Sequence, residues 1–224
     1  MSDELMIEVR GLHHAYRRGA VIEPVLRGLD LRLRRGEFVV VMGPSGCGKT
    51  TLLNILGLML RPTEAQSVRL AGRETLGLSD AERTCLRREM LGFVFQRFNL
   101  LSSVSVRHNV ALPLRIRRQP VDGQVDRLLE QVGLSPVAGK KPAQLSVGQQ
   151  QRVAIARAMV ARPALLLADE PTGNLDSANA AAILDLLEDF HRRYRQTIVM
   201  ITHNEQLAVR ADRVLRMRDG CFLD

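Results

Sequence analysis

Residues 38–50 read Phe38-Val39-Val40-Val41-Met42-Gly43-Pro44-Ser45-Gly46-Cys47-Gly48-Lys49-Thr50. Five apolar residues in a row fit a strand covered on both faces. The next eight match G-x-x-x-x-G-K-[ST]. The glycines of that pattern let successive backbone N–H groups curl around phosphate oxygens. A helix is expected from about Lys49 to Leu58, with the positive end of its dipole facing the loop. In such a loop Lys49 reaches the β- and γ-phosphates of a nucleotide, and the Thr50 hydroxyl ligates Mg²⁺. Thr51 falls on the α-phosphate side. Strand, loop and helix in this order make a chance glycine-rich turn a poor explanation.

The same alternation extends outward. Leu29–Leu33 alternates with period two, as a half-buried strand does, and Arg35-Gly36-Glu37 makes a turn before Phe38. Downstream, short strands are expected at about 67–71 and 91–95, within a mainly helical stretch over about 76–160. A second buried strand is expected at Ala164–Ala168 and a third at Thr197–Ile201. Between these two, Ile183, Leu186, Leu187 and Phe190 fall at i, i+3, i+4, i+7, one face of a helix. Strands and helices alternating at both ends predict an α/β fold with a mostly parallel sheet and an inserted helical subdomain. No repeat and no linker divides the 224 residues, so one domain is expected. Its core would span about 1–96 and 161–224, and its helical subdomain about 97–160.

The strand Leu165-Leu166-Leu167-Ala168 runs into Asp169-Glu170. Beside a phosphate loop, Asp169 is placed to hold Mg²⁺. Glu170 is placed to polarise an attacking water as general base.

Bulk composition narrows the classes less. Charged residues make up 25% and the formal net charge is +8, which suits an anionic ligand, a nucleic acid or the negative face of a membrane. Three scattered cysteines form no C-x-x-C pair, which indicates neither a zinc site nor a disulfide framework. The opening Met-Ser-Asp-Glu-Leu does not read as a secretion signal. The longest apolar runs are far short of the roughly 20 residues a membrane helix needs.

Leu145-Ser146-Val147-Gly148-Gln149-Gln150-Gln151-Arg152 closely resembles the signature sequence of ABC ATPases. Asp169-Glu170-Pro171-Thr172-Gly173-Asn174-Leu175-Asp176 resembles their acidic strand and D-loop. Gln96, in Phe95-Gln96-Arg97, is similar to the Q-loop glutamine. His203 resembles the switch histidine, and Tyr16 the aromatic that stacks on adenine. The resemblance covers nearly the whole chain. The wording of Phe95–Leu101 and Gly173–Ser177 looks most like the branch serving lipoprotein release and macrolide export.

That resemblance implies an ATPase using ATP and Mg²⁺, with an antiparallel β part at the N-terminus. It implies head-to-tail pairing of two cassettes as a homodimer, with Ser146, Gly148 and Gln149 of one copy completing the ATP site of the other. Asp176 would organise the interface, Gln96 would sense Mg²⁺ and water, and His203 would contact the γ-phosphate. Membrane permease subunits would dock on about 97–117, placing the chain peripherally on the cytoplasmic face of the inner membrane. Two departures stand out. Val147 occupies a position usually held by glycine, where a β-branched residue would oppose a positive φ. The turn Thr63–Ser67 lacks its usual glycine. A soluble ABC ATPase acting on nucleic acid or ribosomes is the competing reading; no tandem cassette and no aromatic-and-basic stacking surface supports it, so no nucleic-acid partner is expected. A regulator that binds nucleotide without hydrolysis is opposed by Glu170 and His203.

Overall fold

The computed structural model describes residues 4–223. Two sheets and seven α-helices account for most of them. A four-stranded antiparallel sheet is formed by β1 (Leu5–Arg18), β2 (Val21–Arg34), β4 (Ser67–Leu70) and β5 (Arg73–Glu74), in the order β2-β1-β4-β5. A six-stranded sheet is formed by β3 (Phe38–Met42), β6 (Leu91–Val94), β7 (Leu165–Asp169), β8 (Thr197–Ile201), β9 (Arg213–Arg218) and β10 (Cys221–Leu223). Its order is β10-β9-β3-β8-β7-β6, with every pair parallel except the terminal β9–β10 hairpin.

The unbroken apolar character of β3 follows from its central place. Phe38, Val40 and Met42 point into one core, and Val39 and Val41 into another. The same split runs through β7 and β8: Leu166, Ala168, Ile198 and Met200 face the first core, Leu165, Leu167, Val199 and Ile201 the second. Each of these side chains larger than alanine contributes about 1.5–3 kcal/mol by leaving water. The first core is closed by α3 (Val106–Ile116), α4 (Gln124–Gln131), α5 (Val147–Met159) and α6 (Ser177–Tyr194). The second is closed by α1 (Lys49–Leu56), α2 (Asp80–Met90) and the antiparallel sheet. A short α7 (Glu205–Ala208) follows β8.

The expected strands Phe38–Met42 and Thr197–Ile201 match β3 and β8. The helix expected from Lys49 to Leu58 stops at Leu56, where Gly57 donates its N–H to the Leu53 carbonyl and Leu58 turns left-handed at φ 57°. The strand expected at Leu29–Leu33 is the end of the longer β2, which with its partner β1 forms the antiparallel β part expected at the N-terminus. β1 carries register shifts between Val9 and Leu12 and between His14 and Ala15. Those bulges break the period-two alternation by which a strand is recognised. The Thr63–Ser67 turn contains no positive φ, so a glycine there is dispensable.

The parallel register puts the C-terminal ends of three strands side by side. Val41 of β3 pairs with Ile201 of β8, and Ile201 pairs with Asp169 of β7. Loops leaving those ends therefore converge, where ligands bind in sheets of this type.

Candidate functional site

The loop after β3 makes the floor of a pocket of about 410 Å³. Gly48 caps α1 at φ 107°, and a Cβ there would stand 2.7 Å from Leu26 Cδ2, so the position admits only glycine. α1 begins with no side-chain cap. Its first backbone N–H groups are thus left for an anion. Lys49 is nearly buried; its Nζ donates to the carbonyls of Gly43 at 2.7 Å and Pro44 at 2.8 Å, which holds the ammonium across the loop.

Gly43, Ser45, Gly46, Gly48, Lys49, Thr50 and Thr51 line this pocket together with Tyr16, Glu170 and His203. Residues 150 or more apart in sequence thus share one cavity. Tyr16 is 39% exposed, and its hydroxyl lies 3.3 Å from Thr51 Oγ1. Glu23 and Val25 of β2 also line the wall. They carry no motif; the pairing Tyr16↔Glu23 brings them there, and only knowledge of the β1–β2 hairpin would have found them.

Cys47 and Pro44 are outside the wall. The Cys47 thiol is 5% exposed and packs into the second core beneath the loop, 3.8 Å from Lys49 Nζ. Of Cys47, only the backbone is on hand for phosphate.

At the mouth, the Thr50 hydroxyl donates to Asp169 Oδ1 over 3.4 Å. Burial pushes the Asp169 carboxyl above its ordinary pKa and neighbouring Glu170 adds to this, against the Thr50 hydroxyl and Lys49, which pull it down. A desolvated carboxyl beside a hydroxyl is a hard oxygen donor set. Mg²⁺ takes one or two carboxylates together with phosphate oxygens, so Thr50 and Asp169 fit that ion. Among the described residues no cluster of three or more His, Cys, Asp or Glu competes with them.

Glu170 sits at φ 43°, a strained conformation for a non-glycine residue. Its N–H donates to the Ile201 carbonyl, which continues the β7–β8 pairing and fixes the backbone from which the side chain projects. Glu170 Oε1 lies 3.4 Å from His203 Nδ1. Gly173 is flanked on one side by Gln96 Nε2 and on the other by Glu170 Oε2, at 3.0 and 3.2 Å from where its Cβ would be. Asn174 Nδ2 donates to the Gln96 carbonyl at 2.9 Å. Gln96, exposed in its loop, is thereby tied to the segment that follows the acidic strand.

Ser146, Gly148, Gln149 and Asp176 stand apart from this pocket. Ser146 caps α5 in a capping box: Gln149 N–H donates to Ser146 Oγ, and Ser146 N–H to Gln149 Oε1. Asp176 caps α6 by accepting from the Asn179 backbone N–H, which draws its carboxyl below the usual range. Val147 is the first helical residue of α5 and has no positive φ. The conformational objection to valine therefore falls: the position is helical, and a β-branched side chain is at ease there.

Residues 26–173 match the family model described as ABC transporter. The chain is 44% identical over 225 residues to the lipoprotein-releasing system ATP-binding protein LolD of Acinetobacter baylyi, covering 99% of this chain and 98% of that one. It is 46% identical to the macrolide export ATP-binding/permease protein MacB of Chlorobaculum tepidum, covering 98% of this chain but 34% of that longer protein. Among solved structures, the post-hydrolysis dimer of the ATP-binding cassette MJ0796 bound to ADP and Pi superposes with a TM-score of 0.90 at 38% identity. That likeness covers 98% of this chain and 97% of the other.

Proposed function

Because the chain belongs to the ABC transporter family, as an ATP-binding and ATP-hydrolysing subunit, we propose that it powers export or membrane extraction of an amphiphilic substrate. Lipoprotein, lipid, peptide and drug are the substrate types open to such a machine, and a separate membrane subunit would carry the substrate. The observation that carries this reading is the single pocket uniting the phosphate loop with Glu170 and His203.

In this reading the loop N–H groups and Lys49 hold the β- and γ-phosphates, and Tyr16 stacks on adenine. Thr50 and Asp169, with Gln96 nearby, would hold Mg²⁺, which when bound neutralises charge on the phosphates. Glu170 takes a proton from water as the water oxygen bonds to the γ-phosphorus and the bond from that phosphorus to the β–γ bridging oxygen breaks, so that ADP leaves and phosphate is formed. His203 orients the γ-phosphate through the contact it shares with Glu170.

The cap of α5 supports a role for a second copy. Ser146, Gly148 and Gln149 cluster at a helix N-terminus and line no part of the nucleotide pocket of their own chain, and such an end favours an anion. The MJ0796 relative is a dimer, and the same pairing here would seat these residues and Asp176 against the partner's nucleotide. The permease would dock on 97–117. Arg157 donates to the Phe98 and Asn99 carbonyls at 2.8 and 2.6 Å, which holds that loop rigid. No helix among the described residues is long and apolar enough to cross a membrane, which agrees with a peripheral place on the cytoplasmic face.

The test is Glu170→Gln, purified with ATP or ADP, sized in solution and used to draw partners from detergent-solubilised membranes. Dimers with ATP alone, and capture of a multispanning protein, are expected. A monomer at saturating ATP overturns the pairing, and salt-sensitive DNA binding with DNA-stimulated turnover would favour a nucleic-acid ATPase instead.

A further inference from the structure

A second cavity, of about 560 Å³, lies at the other end of the molecule from the nucleotide pocket. It opens beside Pro163 and Gln196, just before β7 and β8 begin, whereas the nucleotide pocket adjoins the strands' far ends. Leu128 of α4, Met159 of α5, and Phe190 and Tyr194 of α6 form its apolar walls. Arg127 and Arg162 stand on its rim. Among the described residues neither guanidinium has a hydrogen bond or an ion pair, and no carboxylate lines the wall. Of the acids nearby, Asp126 pairs with Arg107 and Asp189 with Arg193, while Asp122 lines an adjoining pocket with Arg162 and not this one.

We propose that this crevice binds a small amphipathic anion, an acid carrying an aromatic ring or a short acyl chain. The volume falls within the roughly 300–1,000 Å³ of small-molecule sites, where apolar walls meet a few placed polar groups. Arg127 and Arg162 supply the charge, and a planar guanidinium suits a carboxylate or sulfonate through paired N–H donors. The apolar body lies on Leu128 and Tyr194, over the nearly buried Met159 and Phe190.

The location makes the site regulatory. α5 begins at Ser146 and ends at Met159 in the crevice wall; α6 begins at its cap Asp176 and ends at Tyr194 in the same wall. Both helices that present the trans-acting caps thus have their opposite ends here. An occupant bridging α4 to these ends fixes how the helical layer sits on the sheet. This regulatory half rests on the two-copy reading above; binding itself does not.

The probe is anilinonaphthalene sulfonate, an aromatic anion, titrated by fluorescence on the full chain, with decanoate as competitor. Saturable binding is expected that survives saturating ATP, yields to decanoate, and weakens roughly tenfold or more in Arg127→Glu/Arg162→Glu. Both arginines are exposed, so the double variant should fold. Leu128→Trp, which fills the cavity without touching charge, should abolish the signal. Absence of saturable binding, displacement by ATP, or unchanged affinity in both variants overturns the site. Bound decanoate that leaves ATP turnover and ATP-driven dimerisation unmoved overturns the regulatory half alone.

Discussion

The Asn179 side chain occupies the space a Cβ on Gly148 would need, its Cγ 2.9 Å from that point. The same amide donates to Asp176 Oδ2 at 2.8 Å, while the Asn179 backbone donates to Asp176 Oδ1. One side chain therefore joins the N-termini of α5 and α6, the two ends that carry Ser146 and Asp176. Gly148 is glycine because α6 packs against it, and not for a special backbone angle.

From this contact, Gly148→Ala should separate the two helix ends and sharply weaken ATP-dependent dimerisation in a Glu170→Gln background. Asn179→Ala alone should have a smaller effect, since Asp176 keeps its backbone donor. The double variant should recover much of the loss, because the new methyl then has room. Residues in contact commonly couple by about 0.5–3 kcal/mol. Sizing of all four proteins with ATP checks this; strict additivity would mean that the contact does not set the geometry.

Glu170 and His203 stand 3.4 Å apart across the mouth of the pocket. Glu170→Gln should retain ATP binding and lose about 10²–10⁴ in turnover, the usual worth of general acid–base catalysis. His203→Ala should lose a similar factor. Groups that act as a unit are not additive, so the double variant should be little slower than either single one. Phosphate-release rates decide it, and full multiplication of the two losses would assign the residues separate tasks.

Glu74 holds the antiparallel sheet to its turn. Its carboxylate accepts from Ser67 Oγ at 2.6 Å and from the backbone N–H groups of Val68, Thr75 and Leu76 at 3.1, 2.9 and 3.1 Å. Burial raises its pKa, but the Ser67 hydroxyl and these three donors outweigh burial and leave it depressed. A depressed carboxylate contributes stability above its unfolded pKa and loses it as pH falls through the folded one. Glu74→Gln should therefore cost about 1–2 kcal/mol at neutral pH, allowing for partial exposure. The gap from the parent should close in strong acid, on the low side of the usual carboxylate range. Denaturant melts at neutral and acid pH measure it; a gap constant with pH would show that packing, not charge, is what Glu74 supplies.

How much of this was legible beforehand depended on how local each signal is. β3 and its loop were readable because a strand buried on both faces leaves an unbroken apolar run, and phosphate binding demands glycines at fixed spacing. β1 was not, because its bulges scramble the alternation. Glu23 and Val25 in the pocket wall were invisible for the same reason, since they depend on the β1–β2 register. Asn179 lies in no motif at all; its importance comes from a contact between helices that begin about thirty residues apart in the chain. The cap of α5, by contrast, was written in Ser146-x-x-Gln149, a pairing of side chain and backbone contained within one turn.

Val147 offers the sharpest separation of sequence expectation from structure. Read as a position usually held by glycine, residue 147 should have a positive φ, which valine would oppose. In the folded chain Val147 is the first residue of α5, with its side chain 46% exposed and its backbone at negative φ. Nothing in that setting strains a β-branched residue, and the Ser146–Gln149 box fixes the turn whichever residue lies between. Val147→Gly should therefore change basal ATP turnover by less than about twofold, roughly 0.4 kcal/mol of barrier. Steady-state ATPase assays on the two proteins decide the matter. A several-fold rise would mean that the isopropyl group hinders the approach of the partner's nucleotide, an effect of contact between copies and not of the loop's own backbone.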